Sequence, residues 1–186
     1  MKPKRSPQSL LYRFLTEARS RVAHLNIVMI AGNHDSPGRL EAPSPFLSMF
    51  DAHVVGQVIR SDEGFSLERL VLPLKAKDGR IGAWCVAMPF LRPSDVPRIE
   101  DATEPYAEGI EALYRQAIEH AKAKREAGQA LIALGHCHLT GGKASEDSER
   151  RIVIGGAEAL SAEMFDDSVT YVALGHLHLS QEIGGD

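Results

Sequence analysis

Three uncharged, mostly apolar segments of this sequence each run into a glycine that is followed at once by polar, histidine-bearing residues. The glycines open the motifs Gly32-Asn33-His34-Asp35, Gly135-His136-Cys137-His138 and Gly175-His176-Leu177-His178. The preceding segments, residues 25–31, 131–134 and 169–174, are rich in aliphatic residues, which is typical of buried strands. A chain with this pattern is expected to form an α/β fold whose strands present three polar loops.

Two helices and a hairpin are predicted around these strands. Apolar residues recur at three- and four-residue intervals over residues 8–23 and again over residues 105–126, and Gly128 is placed to end the second helix. Residues 70–75 and 80–87 are predicted to pair as antiparallel strands across a Lys-Asp-Gly turn. The 186 residues are interpreted as one domain, an α/β fold built around a mixed sheet.

Two of the three motifs are near copies of each other. Residues 133–139 and 173–179 both read Ala-Leu-Gly-His-x-His-Leu. Their flanking sequences do not repeat, so a repeat architecture is not predicted. We interpret the likeness as two loops that meet the same chemical demand.

The three loops predict a metal site. In open α/β sheets, ligands bind outside the carboxyl ends of the strands, where loops converge. One amide and four imidazoles are expected there, those of Asn33, His34, His136, His176 and His178. Nitrogen and oxygen ligands of this kind suit a divalent ion, and each glycine is interpreted as allowing a sharp turn and a close approach of the backbone. One His-x-His alone means little, because alternate residues of a strand share a face, but three such loops favour a metal site over ordinary turns.

Other candidate residues are interpreted more conservatively. His24, His53 and His120 lie outside the loops and are assigned surface or capping roles, and Cys137 is assigned to packing. Arg39 follows the Asn33 loop closely enough to contact a substrate phosphate, although an ordinary surface arginine is the competing interpretation.

Composition restricts the environment and the partners. No apolar run approaches the roughly 20 residues that cross a bilayer. Two widely spaced cysteines without a secretory signature favour a reducing, cytoplasmic environment. The net charge of -4 means that attraction to DNA has to come from bound cations, a local basic cluster or a partner subunit.

The motifs resemble those of the calcineurin-like metallophosphoesterases. Residues 32–37 are similar to the family's third motif, Gly135-His136 to its fourth and residues 175–178 to its fifth. Residues 145–150 and 154–156, a weaker cue, extend the likeness to the branch of SbcD-type nuclease subunits, which work with an SMC-type ATPase, SbcC. The likeness covers nearly the whole chain and implies a metallophosphoesterase-like sandwich of mixed β-sheets flanked by helices.

The resemblance also implies roles for individual residues. It implies four metal ligands: Asn33, His136, His176 and His178. The first three would share one ion and the last would hold a second, with Mn²⁺ the expected metal. His34 would place or protonate the leaving group, and Asp35 would orient His34. The implied reaction is phosphodiester hydrolysis on DNA, exonucleolytic or endonucleolytic, in repair and recombination, and the implied partners are DNA, an SbcC-like ATPase and a second copy of the nuclease subunit.

The chain departs from the family pattern in one important respect. The family opens with an Asp-x-His and then a Gly-Asp whose aspartate bridges both ions, and neither precedes Asn33 here; the only Gly-Asp is Gly185-Asp186. His138 also stands where no ligand is expected. The chain is therefore expected to be a partial catalytic domain that holds at most one ion tightly and has impaired activity.

Two alternatives remain open from the sequence. The first is a phosphatase or cyclic-nucleotide phosphodiesterase of the same superfamily, because the pocket rather than the metal motif decides the substrate. The second is a metal-free interaction or regulatory module that kept the fold. A comparison of DNA with small phosphoesters separates the first, and failure of a folded chain to bind any metal favours the second.

Overall fold

The computed structural model describes residues 6–143 and 159–183. Its helices are α1 (Pro7–Arg21), α2 (Pro37–Glu41), α3 (Ser44–Leu47) and α4 (Pro105–Lys124). Its strands are β1 (Ile27–Ile30), β2 (Ala52–Val55), β3 (Arg60–Ser61), β4 (Gly64–Phe65), β5 (Val71–Lys75), β6 (Ile81–Ala87), β7 (Ala130–His136) and β8 (Tyr171–Gly175). The strands form a four-stranded sheet in the order β5-β6-β7-β8 and two small sheets, β1-β2 and β3-β4. The predicted α/β fold with mixed sheets is confirmed.

The four-stranded sheet contains the predicted hairpin. Strands β5 and β6 are antiparallel, with Val71 opposite Val86 and a register irregularity between Leu74 and Lys75. Gly79 adopts a positive φ of 82° in the connecting turn, a conformation that glycine accepts without strain. Strands β6, β7 and β8 are parallel, so their carboxyl ends lie at one edge of the sheet.

Helix α4 covers this sheet and supplies much of its core. Pro105 occupies the first turn, where no backbone hydrogen bond is lost. Leu113, Tyr114 and Ile118 on its apolar face are almost fully buried. The helix predicted over residues 105–126 is confirmed, ending two residues earlier.

Helix α1 forms as predicted, but little of its apolar face is buried. The Ser6 hydroxyl caps it by accepting a hydrogen bond from the Ser9 N–H. Leu15 is buried, whereas Phe14 is 61% exposed and Val22 is 51% exposed. Leu11 and Ala18 are partly buried, so the stripe is only partly covered. In the part of the chain that the structure describes, none of the helices has the length and apolar character that a bilayer crossing requires.

Strand β1 differs from the prediction. Residues 25–31 were expected to be a strand buried on both faces. Strand β1 is instead half-buried and pairs in parallel with β2, outside the four-stranded sheet. It joins that sheet at two points: the Asn26 amide pairs with both the N–H and the carbonyl of Lys75, and the Phe90 N–H donates to the Ala31 carbonyl at 2.8 Å. The second contact brings the end of β1 to the edge where β6 and β7 end.

Candidate metal centre

The three histidine-bearing loops meet at this edge around His136. His136 is the last residue of β7 and lies opposite Gly175, the last residue of β8. Its Nε2 atom lies 2.9 Å from the Oδ1 atom of Asn33, and its ring centroid lies 5.3 Å from that of His176. The structure thus brings together Asn33, His136 and His176, which come from three distant parts of the sequence.

The glycines that open the motifs allow close packing against neighbouring side chains. A Cβ atom on Gly32 would lie 2.7 Å from Cε1 of His136, and one on Gly175 would lie 3.0 Å from Nδ1 of the same ring. None of the motif glycines has a positive φ; at the third motif it is His176 that does, at 95°. None of the three therefore needs the left-handed conformation, and the close approach that Gly32 and Gly175 permit is to the His136 imidazole.

Two aromatic residues that sequence analysis did not single out also shape the site. The Phe90 ring meets the His136 ring edge to face, with centroids 6.0 Å apart. The Tyr114 hydroxyl packs directly against the backbone of Gly135, where an added Cβ would lie 2.1 Å from the hydroxyl oxygen. Tyr114 is one apolar-face residue among many on α4, so its sequence carries no signal for this contact.

The imidazole of His136 is neutral at physiological pH. Burial, followed by the positive charge of protonated His176, lowers the pKa of His136 to about 4, and the nearby Asp35 carboxylate opposes this only in part. A metal binds the neutral form of imidazole, so the ring is in the form that a metal requires.

The remaining predicted residues lie around this centre. His34 and His178 are exposed, and both are close enough to contribute to the lowered pKa of His136. Asp35 is also exposed, and its Oδ2 atom accepts a hydrogen bond from the Gly32 N–H at 2.7 Å. Arg39 lies exposed on α2 and forms no ion pair with any other described residue.

The side chain of Cys137 is buried, and that of His138 contacts the backbone of its own loop. Burial raises the pKa of the Cys137 thiol to about 12, so it stays protonated and is unsuited to binding a metal as thiolate. The Nε2 atom of His138 lies 3.4 Å from the Gly142 carbonyl oxygen within the same loop. The family-like tract at residues 145–150 and 154–156, and the dipeptide Gly185-Asp186, lie outside the described residues.

An Asp-x-His sequence occurs in the chain after Asn33, at Asp51-Ala52-His53, and sequence analysis overlooked it. Ala52 is the first residue of β2 and lies opposite Ile27, at the end of the small sheet remote from the Gly32 loop. Asp51 is paired with Arg19 and Lys75, and these cations lower its pKa. Its position does not reproduce the family's opening motif.

The spacing of Asn33 and His136 fits a shared ion. Two ligand atoms that each lie about 2.1 Å from one ion, at right angles, are about 3.0 Å apart. The two atoms are hydrogen-bonded to each other at 2.9 Å, a separation close to this value. Within residues 6–143 and 159–183, no three His, Cys, Asp or Glu side chains are grouped to hold a metal, so the candidate centre depends on the Asn33 amide.

Comparison with known proteins identifies the class to which this fold and site belong. The chain matches the calcineurin-like phosphoesterase family over residues 5–180 and therefore belongs to that family. It is similar to three proteins named as the D subunit of the nuclease SbcCD. The relative from Rhodobacter capsulatus is 38% identical over 100% of this chain and 47% of its own length. The relatives from Bacillus subtilis and Escherichia coli are 33% and 30% identical, over 95% and 96% of this chain, and each is covered over 43% of its length. The chain thus spans about half the length of the curated relatives it matches.

Proposed function

We propose that this chain carries part of the catalytic site of a metal-dependent DNA nuclease of the SbcD type. The observation that carries the proposal is the meeting of Asn33, His136 and His176 from three loops that are distant in sequence. The family membership supports phosphoester chemistry, and the names of the relatives support DNA as the substrate.

The roles follow from the chemistry of each side chain. Asn33, His136 and His176 hold one divalent ion, for which we propose Mn²⁺. His178 is a ligand of a second ion. Bound ions of this kind activate water and neutralise charge on a phosphodiester in the transition state. Because these ligands are neutral, a bound ion keeps its full positive charge to offset phosphate charge.

Two exposed residues are assigned to the substrate. His34 faces solvent beside the cluster and delivers a proton to the leaving oxygen. Arg39, free of ion pairs among the described residues, binds a flanking phosphate.

The complete protein is proposed to work in a larger assembly in the cytoplasm. The relatives carry the name of the D component of SbcCD, so an SbcC-like ATPase is the proposed partner, together with a second copy of the nuclease chain. With a net charge of -4, the chain draws its attraction to DNA from bound cations, a local basic cluster or the partner subunit.

Binding of Mn²⁺ to the purified chain tests the proposal. Isothermal titration calorimetry is expected to show one tight site in the wild type. Asn33→Ala and His136→Ala are each expected to weaken it by about 10- to 100-fold or more, because each removes a ligand. His24→Ala is the matched control, since His24 is exposed and outside the three loops. A folded chain that binds no Mn²⁺ contradicts the proposal and favours the metal-free interaction module.

A further inference from the structure

Asp35 makes a contact that its predicted role does not include. Its Oδ2 atom accepts a hydrogen bond from the Gly32 N–H at 2.7 Å, and its own N–H donates to the Gly32 carbonyl at 3.2 Å. The two bonds close residues 32–35 into a compact turn. The family resemblance implied instead that this carboxylate orients His34.

The turn contains the amide of the candidate metal centre. Asn33 lies inside it, and its Oδ1 atom is the one that lies 2.9 Å from Nε2 of His136. Gly32, the residue that Asp35 binds, packs so closely against the His136 ring that no Cβ would fit there. The contact between Gly32 and the His136 ring therefore couples the position of the turn to the position of the ring.

We propose that Asp35 is a positioning residue for the metal site, which acts by fixing the turn that presents Asn33 to His136 and not by orienting His34. A hydrogen bond that a carboxylate accepts from a backbone N–H is shorter and stronger than a neutral one, so it suits this task. Loss of such supporting contacts typically weakens metal binding by about 10- to 100-fold. The inference rests on the proposed function, since it takes Asn33 and His136 as metal ligands.

The chain contains a matched control for this turn. Asp95 makes the same pair of contacts with Arg92: its Oδ2 atom accepts from the Arg92 N–H at 2.8 Å, and its N–H donates to the Arg92 carbonyl at 2.8 Å. This second turn lies between β6 and α4, outside the three histidine-bearing loops. Asp95→Ala therefore reproduces the loss of a turn-closing carboxylate without touching the metal ligands.

Four variants of the full chain separate the possible roles of Asp35. Mn²⁺ affinity is measured by calorimetry, and exchange of the Gly32 amide hydrogen is followed by NMR in the absence of metal. Asp35→Ala is expected to weaken Mn²⁺ binding by about 10-fold or more and to speed the exchange of the Gly32 amide. Asp35→Asn keeps an acceptor at the same place, so it is expected to stay within about threefold of the wild type. His34→Gln and Asp95→Ala are expected to bind Mn²⁺ as the wild type does.

Each outcome bears on the inference. Unchanged Mn²⁺ affinity in Asp35→Ala overturns it, and so does an equal loss in His34→Gln, because Asp35 would then act through His34. If Asp35→Ala does not fold, Asp35→Asn decides: a loss of Mn²⁺ affinity of about 10-fold or more in that variant, with the Gly32 amide still protected, overturns the inference. If the wild type binds no Mn²⁺, the proposed function fails, and the Gly32 exchange in Asp35→Ala alone supports or overturns the turn-fixing role.

Discussion

The imidazole of His136 is bounded by two glycines and one aromatic ring. An added Cβ would lie 2.7 Å from the ring at Gly32 and 3.0 Å from it at Gly175, and Phe90 meets the ring edge to face. A ring confined in this way keeps one orientation, which a metal ligand requires. The sequence identified the histidine and the glycines, but the contact between them depends on the separate approach of β1.

Replacement of Gly32 tests this confinement. In Gly32→Ala the new Cβ would lie 2.7 Å from the His136 ring, so the ring or the loop has to move. Because Gly32 has no positive φ, the effect is one of contact alone. We expect Mn²⁺ affinity to fall by about 10-fold or more. Gly38→Ala is the control: nothing lies within 4 Å of its Cβ, and alanine favours helix α2, so affinity and stability should be kept.

The same ring predicts a pH dependence of stability. The pKa of His136 is about 4 in the folded chain, because of burial, and near 6.5 when unfolded. Between these values the unfolded chain binds a proton that the folded chain does not, so stability is lost as pH falls from about 6.5 to about 4. The ring is only half-buried, so solvent screening limits its contribution to about 1–2 kcal/mol. Urea unfolding of the metal-free chain at several pH values, compared with His136→Gln, should show a smaller acid loss in the variant. Identical pH profiles would rule out this source.

At the scale of elements, the packing of α4 against β7 sets the position of the loop that begins at His136. Tyr114 is fully buried on α4, and its hydroxyl fills the space left by the absent side chain of Gly135. His136 follows directly in β7. Helix packing is thus transmitted to the ligand through one backbone position.

A double-mutant cycle measures the contact between Tyr114 and Gly135. Gly135→Ala puts a Cβ within 2.1 Å of the Tyr114 hydroxyl oxygen and should destabilise the chain by about 1–3 kcal/mol. Tyr114→Phe removes that oxygen and leaves the ring carbon Cζ at 3.3 Å, a distance that small shifts relieve. The double variant should therefore lose less stability than the two single variants lose together, as measured by urea unfolding. Strict additivity would show that the two residues do not oppose each other.

Elements were predictable where the pattern was long or the turn distinctive. The 3.6-residue periodicity of α4 and the Asp-Gly turn between β5 and β6 were sufficient, because both signals are local. Strands β2, β3 and β4 contain only two to four residues, too few to show a period. The predicted burial of β1 was wrong because burial depends on which sheet a strand joins. Neither local composition nor spacing determines that.

At the scale of the whole molecule, the candidate site is assembled from two sheets that share one hydrophobic core. The link from Phe90 to Ala31 places the Asn33 loop beside β7, while the Asn26 amide holds the opposite end of β1 against β5. Sequence analysis predicted that the three loops would meet, because strand ends in such folds converge. The family resemblance implied more than one sheet, but the residue pattern alone could not predict which strands form the second, since the pairing of β1 with β2 is a long-range choice.

The charge of the assembled site limits how many ions this chain can hold. The four proposed ligands, one amide and three imidazoles, are all neutral. Two divalent ions about 3.8 Å apart repel by roughly 17 kcal/mol at an effective dielectric constant near 20, and neutral ligands do little to offset this. We therefore expect Mn²⁺ titration of the purified chain to give one tight site, with little exonuclease turnover. His178→Ala should leave that site intact, because His178 is assigned to the other ion, whereas His176→Ala should weaken it. Two tight sites in the wild type would contradict this expectation.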